Sequence, residues 1–181
     1  MIVWFIFGAM CMLVILFMLA YLKFASLSKQ VQHAWQQLDH QLKYRADFIP
    51  GVALSAASLS DLERDFVYQL SALKSSVPVF QNLKERVAYE EQISQSFQKV
   101  FTSAKQSSLK QDEHLSKLEV SIAETEQKIQ KAKKRYNSVA HTFNIVTSII
   151  PLNMIAKMFE MSPYDYFDFT PSNPKATEKP K

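Results

Sequence analysis

The chain has 181 residues, with 21 Lys or Arg against 17 Asp or Glu, a net charge of +4. Two glycines, neither of them in an Asn-Gly or Asp-Gly pair, exclude a hairpin-built sheet protein. The basic residues are dispersed apart from one run, which speaks against a nucleic-acid partner, and the lone cysteine, Cys11, excludes an internal disulfide. The composition points to an all-α protein: an N-terminal transmembrane helix followed by an antiparallel bundle of long helices.

Residues 1–22 carry no charged side chain and no proline, with Gly8 their only glycine. As a helix this stretch would rise roughly 33 Å, enough to cross the hydrocarbon core of a bilayer. A secretory signal would need a positive n-region, a shorter apolar run and a small-x-small cleavage site. No Lys or Arg precedes the run, Ala20 is preceded two positions back by Met18, and Ala25 by Lys23. A buried core helix is the other reading, but all faces of this run are apolar, which suits lipid better than a small bundle. The expectation is a retained anchor in the lipid bilayer, with Trp4, Phe5 and Tyr21 near its two ends, where aromatic rings favour the interface. Lys23, Lys29, Lys43 and Arg45 all follow the span. The positive-inside rule then places the N-terminus outside and the body in the cytoplasm, a single-pass arrangement in a bacterial inner membrane.

Residues 23–167 are expected to form the bundle, with a disordered tail over 168–181. Leu27, Val31, Ala34, Leu38 and Leu42 fall at helical spacing and continue the anchor without a glycine or proline between them. Trp35 is expected in the packed seam, Lys43 to pair with Asp39 or Asp47, and Arg45 to add a surface charge. Pro50 is the first punctuation. The stripe holds its phase through Phe48, Val52, Leu59, Leu62, Phe66 and Leu73, which favours a kinked helix over a hairpin there. Ser60 and Glu63 have capping-box spacing, read here as a chance match on a polar face.

Ser75–Pro78 is a break, and Pro78 suits the first turn of the next helix. That helix buries Phe80, Leu83, Val87, Ile93, Phe97, Val100 and Phe101, with Glu85, Glu90 and Glu91 facing away. Thr102–Gln111 is the expected connection. In the third helix Leu115, Leu118, Ile122, Thr125, Ile129, Ala132, Tyr136, Val139, Phe143, Val146 and Ile150 alternate steps of three and four, the spacing of coiled-coil packing, up to Pro151. The basic run Lys128–Arg135 flanks this seam and is expected to be a solvated face. Met154, Ile155, Met158 and Phe159 form a short apolar patch, expected to close over the bundle end, with Asn153 as its cap.

Two stretches carry a resemblance. Residues 34–50 read AWQQLDHQLKYRADFIP, and residues 132–167 read AKKRYNSVAHTFNIVTSIIPLNMIAKMFEMSPYDYF. Together, in this order behind a terminal span, they resemble the LemA family of bacterial membrane proteins. The residues carrying the pattern include Trp35, Asp39, Gln41, Lys43, Arg45, Asp47 and Pro50 in the first block. In the second they include Arg135, Tyr136, Asn137, Asn144, Pro151, Asn153, Phe159, Pro163 and Phe167. The family's usual Asn-Leu-Val after the proline is replaced here by Gly51-Val52-Ala53. The resemblance implies a membrane-anchored helical protein without established catalytic chemistry, often encoded beside a membrane zinc metalloprotease.

No chemistry is legible in the chain itself. No glutamate has a histidine three positions later, and His-Glu-x-x-His, Walker and Gly-x-Ser-x-Gly patterns are absent. No cofactor and no metal are expected. The reading is a non-enzymatic protein that scaffolds or regulates a membrane partner, possibly a membrane protease. The alternative is a structural, membrane-shaping protein that self-assembles through its heptad seams.

Overall fold

The computed structural model describes residues 1–55, 61–75, 79–106, 113–149 and 152–168. The elements are α1 Ile2–Ala46, α2 Ile49–Ser55, α3 Asp61–Ser75, α4 Leu83–Gln106, α5 Glu113–Ser148 and α6 Leu152–Met158. No strand occurs among the described residues, so the protein is all-α, as its composition demands. Two compact units divide the chain, one of residues 1–36 with 134–166 and one of residues 37–133 with 167–181.

In the first unit, α1 runs without a break from the apolar span into the amphipathic stretch. The side chains of residues 1–16 are all exposed, and none of the most apolar window is buried against protein. That removes the buried-core reading of this segment. α1 is long and apolar enough to cross a membrane. Past Lys23 the expected stripe appears: Phe24, Leu27, Val31 and Ala34 are buried. The α5 seam in this unit buries Tyr136, Ala140 and Phe143. Trp35 and Tyr136 meet edge-on with ring centroids 5.5 Å apart.

The short α6 ends in a Schellman motif: Met161 N–H donates to Ala156 C=O at 2.9 Å and Glu160 N–H to Lys157 C=O at 3.2 Å. Glu160 takes the left-handed position usually given to glycine, with φ of 50°. Asn153 does not cap this helix. Its backbone N–H donates to Ile149 C=O at 2.8 Å, so it already lies inside the helical hydrogen-bonding pattern, and its Oδ1 is buried without a hydrogen-bond partner among the described residues.

The second unit has its own buried core. Ile49, Val52, Leu70, Tyr89, Ile93, Phe97, Val100, Phe101, Leu115 and Ile122 form one buried cluster, with Phe48, Leu73, Phe80 and Leu118 at its margin. Pro50 kinks the path as its missing N–H requires, because Ala46 C=O loses its helical donor. The backbone tightens just before it, with Phe48 N–H donating to Arg45 C=O at 3.2 Å, and regains helical spacing with Val52 N–H to Phe48 C=O at 3.0 Å.

The expected run of one stripe to Leu73 does not hold. Lys74 Nζ lies 3.4 Å from Asp47 Oδ1, 27 residues away in the chain. A straight helix would separate them by about 40 Å, so the chain reverses between α2 and α3. α3 starts at Asp61, next to the Ser60–Glu63 spacing; Ser60 and Leu59 lie outside the described residues, as does the Pro78 expected to open the next helix.

α4 begins instead at Leu83. Asn82 caps it, its Oδ1 accepting Glu85 N–H at 2.9 Å while Glu85 Oε2 accepts Gln81 N–H at 3.0 Å. α4 also extends through Gln106, into the stretch expected to be the connection. Lys105 Nζ sits 2.5 Å from Glu119 Oε1, so the end of α4 lies beside the start of α5 and the two run antiparallel.

Candidate functional site

The first block of motif residues builds a charged node within the second unit. On α1 the buried positions Leu38 and Leu42 lead, by steps of four and three, to Arg45, and on to Ile49 and Val52. Arg45 therefore lies on the packed stripe, and it is 0% exposed. The expectation of a surface charge was wrong. On α4 the same walk from Leu83 and Val87 lands on Glu90 and Ser94, both buried, so Glu90 does not face away either. The three elements bring their polar seam positions together.

Arg45 Nη2 lies 2.5 Å from Glu90 Oε2 and also donates to Glu90 C=O at 3.1 Å. Arg45 Nη1 lies 2.6 Å from Glu126 Oε1 and donates to Ser94 Oγ. Ser94 Oγ–H donates in turn to Glu126 Oε1 at 2.8 Å. The node continues outward. Arg86 Nε is 2.8 Å from Glu90 Oε1, within ion-pair reach though off line for a hydrogen bond, and Arg86 Nη2 is 3.2 Å from Asp39 Oδ1. Lys43 Nζ closes the series 2.6 Å from Asp39 Oδ2, as the four-residue spacing predicts. Lys43, Asp39, Arg86, Glu90, Arg45 and Glu126 thus alternate in sign, from the exposed Lys43 through the buried Glu90 and Arg45 to the half-buried Glu126, and sum to zero charge. Arg86 also covers the Phe80 ring, 4.8 Å from its centroid.

The second block holds residues 164–166 onto α1 and α5 within the first unit. Asn144 grips Tyr164 from both sides: Nδ2–H donates to Tyr164 C=O at 2.9 Å and Oδ1 accepts Tyr164 N–H at 2.8 Å. The Tyr164 hydroxyl reaches Ser28 Oγ on α1 at 2.9 Å, and its ring meets Phe143 at 4.9 Å. Tyr136 Oη–H donates to Asp165 C=O at 2.9 Å, and His141 Nδ1 lies 3.0 Å from the Tyr166 hydroxyl.

Burial, and then the nearby Asp165 charge, hold the Tyr136 phenol above its ordinary value of 10.0. The fold therefore favours neutral Tyr136. That stabilisation is complete below about pH 10 and is lost as pH rises through the folded value. Tyr136→Phe is expected to cost about 1 kcal/mol at neutral pH, for one hydrogen bond. It should also flatten the alkaline decline of the melting temperature without abolishing it, because burial shifts Tyr89 in the same direction. An unchanged alkaline limb in thermal melts would remove Tyr136 from this role.

The remaining motif residues fall in three places. Lys43, Asp47, Pro50, Arg135 and Pro163 are exposed, and Asp47 pairs with Lys74. Trp35, Asp39, Gln41, Asn137, Asn144 and Asn153 are half-buried, while Phe167 is wholly buried. Pro151 and the tail beyond residue 168 lie outside the described residues. The basic run is solvent-facing at Lys128, Lys131, Lys134 and Arg135. Phe159 is exposed but touches the apolar span, its ring 5.0 Å from Tyr21 and 5.9 Å from Phe17.

What sequence reasoning missed was the node. Its signal was available as three charged or polar residues, Arg45, Glu90 and Ser94, at positions the apolar stripes predict to be buried. A LemA family profile matches residues 34–181. No curated protein matches the chain.

Proposed function

The chain belongs to the LemA family, and on that footing we propose that it is a non-catalytic, membrane-anchored interaction protein that scaffolds or regulates a membrane-protein partner. Its site of action is the inner membrane of a bacterium, with the body on the cytoplasmic side. The observation that carries this reading is the continuity of α1: one 45-residue helix is both the apolar span and the first helix of the body. No flexible linker intervenes between the span and the amphipathic stretch of α1 in the first unit, so that unit is held at the bilayer rather than swinging on a tether. A membrane-bound partner meets it there at high effective concentration.

The motif residues divide accordingly. Arg45, Tyr136, Asn144 and Phe167 are spent on the fold, whereas Lys43, Arg135 and Pro163 are exposed and available to a partner. Crosslinking in intact membranes followed by detergent extraction tests this. The expected product joins the full-length chain to a different integral membrane protein and is lost with Arg135→Glu. Recovery of nothing but the chain itself would favour self-assembly over scaffolding.

A further inference from the structure

α6 and the end of α5 form an apolar ledge beside the span. Within the first unit α1 and α5 run antiparallel, and two contacts set their register. Trp35 meets Tyr136, and Ser28 reaches, through Tyr164, to Asn144. Moving five further residues along each helix brings Ile149 level with Lys23, the first charged residue after the apolar run. The chain then turns, α6 leaving α5 at 100°. A helix crossing α1 and α5 at that angle lies nearly flat where the span leaves the bilayer.

The side chains fit that position. Ala156 is buried against the protein, while Met154 and Met158, one turn apart, are 67% and 72% exposed. Ile145, Ile149 and Phe159 are exposed as well. From Phe143 to Phe159 the one charged residue is Lys157, itself exposed and long enough to reach headgroups. Depth is set by the ring contacts. Phe159 packs on Phe17, five residues inside the end of the apolar run, or about 7 Å below it along the helix. Any bilayer that covers Phe17 therefore covers Phe159. Interfacial helices bury their apolar faces about 5–10 Å into the headgroup–acyl boundary, which is the same depth.

We propose that α6 is a second membrane contact: a short in-plane segment whose Met154, Met158 and Phe159 side chains insert into the leaflet that α1 exits on the body side. The proposal rests on the anchored reading of α1. It replaces the expected lid over the bundle end with a lipid-facing ledge, and it ties the first unit to the bilayer at two points, so that this unit cannot rotate freely about the axis of α1.

Full-length protein in phosphatidylcholine–phosphatidylglycerol vesicles provides the test. Three samples carry an environment-sensitive thiol fluorophore: the wild type at Cys11, and Met158→Cys and Lys99→Cys in a Cys11→Ser background. Position 158 is expected to be quenched several-fold more than position 99 by nitroxide placed near the headgroups, and to be protected from aqueous iodide. Cys11 is expected to be quenched most by nitroxide at the acyl-chain midpoint. If position 158 quenches with iodide as position 99 does while Cys11 is deep, the ledge is wrong and the anchor stands. If position 158 is shielded from both quenchers, a second copy of the chain covers the patch and the proposal falls. If Cys11 is not reached by deep nitroxide, the anchored reading fails and takes the ledge with it.

Discussion

Arg45→Ala is expected to lower the stability of the body by about 3–5 kcal/mol, the range for breaking a buried ion pair by removing one partner. The side chain is fully buried, and it neutralises Glu90 and Glu126 together. Truncation leaves the buried Glu90 with only Arg86, and the half-buried Glu126 with only Ser94, to answer them. The outer end of the same series supplies the comparison. Lys43 is 70% exposed and pairs with Asp39 on its own helix, so Lys43→Ala should cost no more than about 0.5 kcal/mol. Replacing the inner members together, as in Arg45→Met with Glu90→Leu and Glu126→Leu, removes the stranded charges and should recover most of the loss. Urea unfolding of full-length protein in micelles, followed by circular dichroism, reads all three. Equal midpoints for Arg45→Ala and Lys43→Ala would show that the node contributes nothing beyond a surface pair.

Charge placed in the apolar span has the second large effect. An Arg at the centre of a membrane helix disfavours insertion by about 2.5–3.5 kcal/mol, so Leu13→Arg with Leu16→Arg together weigh about 5–7 kcal/mol against it. Both leucines are exposed on α1 and support no packing in the body. The expected result is loss of the chain from the carbonate-resistant membrane fraction, while Tyr68→Arg, exposed on α3, leaves it in place. N-terminal sequencing of the wild type from membranes should still read the apolar run. A mature product beginning near residue 26 would identify residues 1–22 as a cleaved leader instead. A fluorophore on Lys99→Cys should be accessible to membrane-impermeant reagent only after permeabilisation if the body is cytoplasmic.

Much of this protein is local, and the local part is readable. A helix stripe follows from the 3.6-residue period alone, so Leu27, Val31, Ala34, Leu38 and Leu42, and likewise Leu115, Ile122, Ile129 and Phe143, are buried where the spacing places them. Proline chemistry is local too, and α1 ends just ahead of Pro50 for the reason its missing N–H dictates. The Asn82–Glu85 cap follows the same logic, its spacing legible though Pro78 drew attention away.

The errors have a common origin. At Arg45 and Glu90 charge type and stripe position point opposite ways, and because a lone buried ion is so costly, exposure is the default expectation. That default fails when opposite charges arrive from other helices, and the arrival of Glu126, 81 residues along the chain from Arg45, is visible only in the folded protein. The reversal between α2 and α3 and the clasp of Tyr164 by Asn144 are likewise made by distant partners.

By itself, then, the amino-acid order determined the helical class, the apolar span, the buried stripes and the family. Those depend on side-chain period and length, which each segment carries alone. Tertiary structure decided where the chain turns back, which charges are neutralised inside, and that Phe159 rests on the span. Each of those is a contact between segments far apart in the chain, and its energy exists only once both are in place.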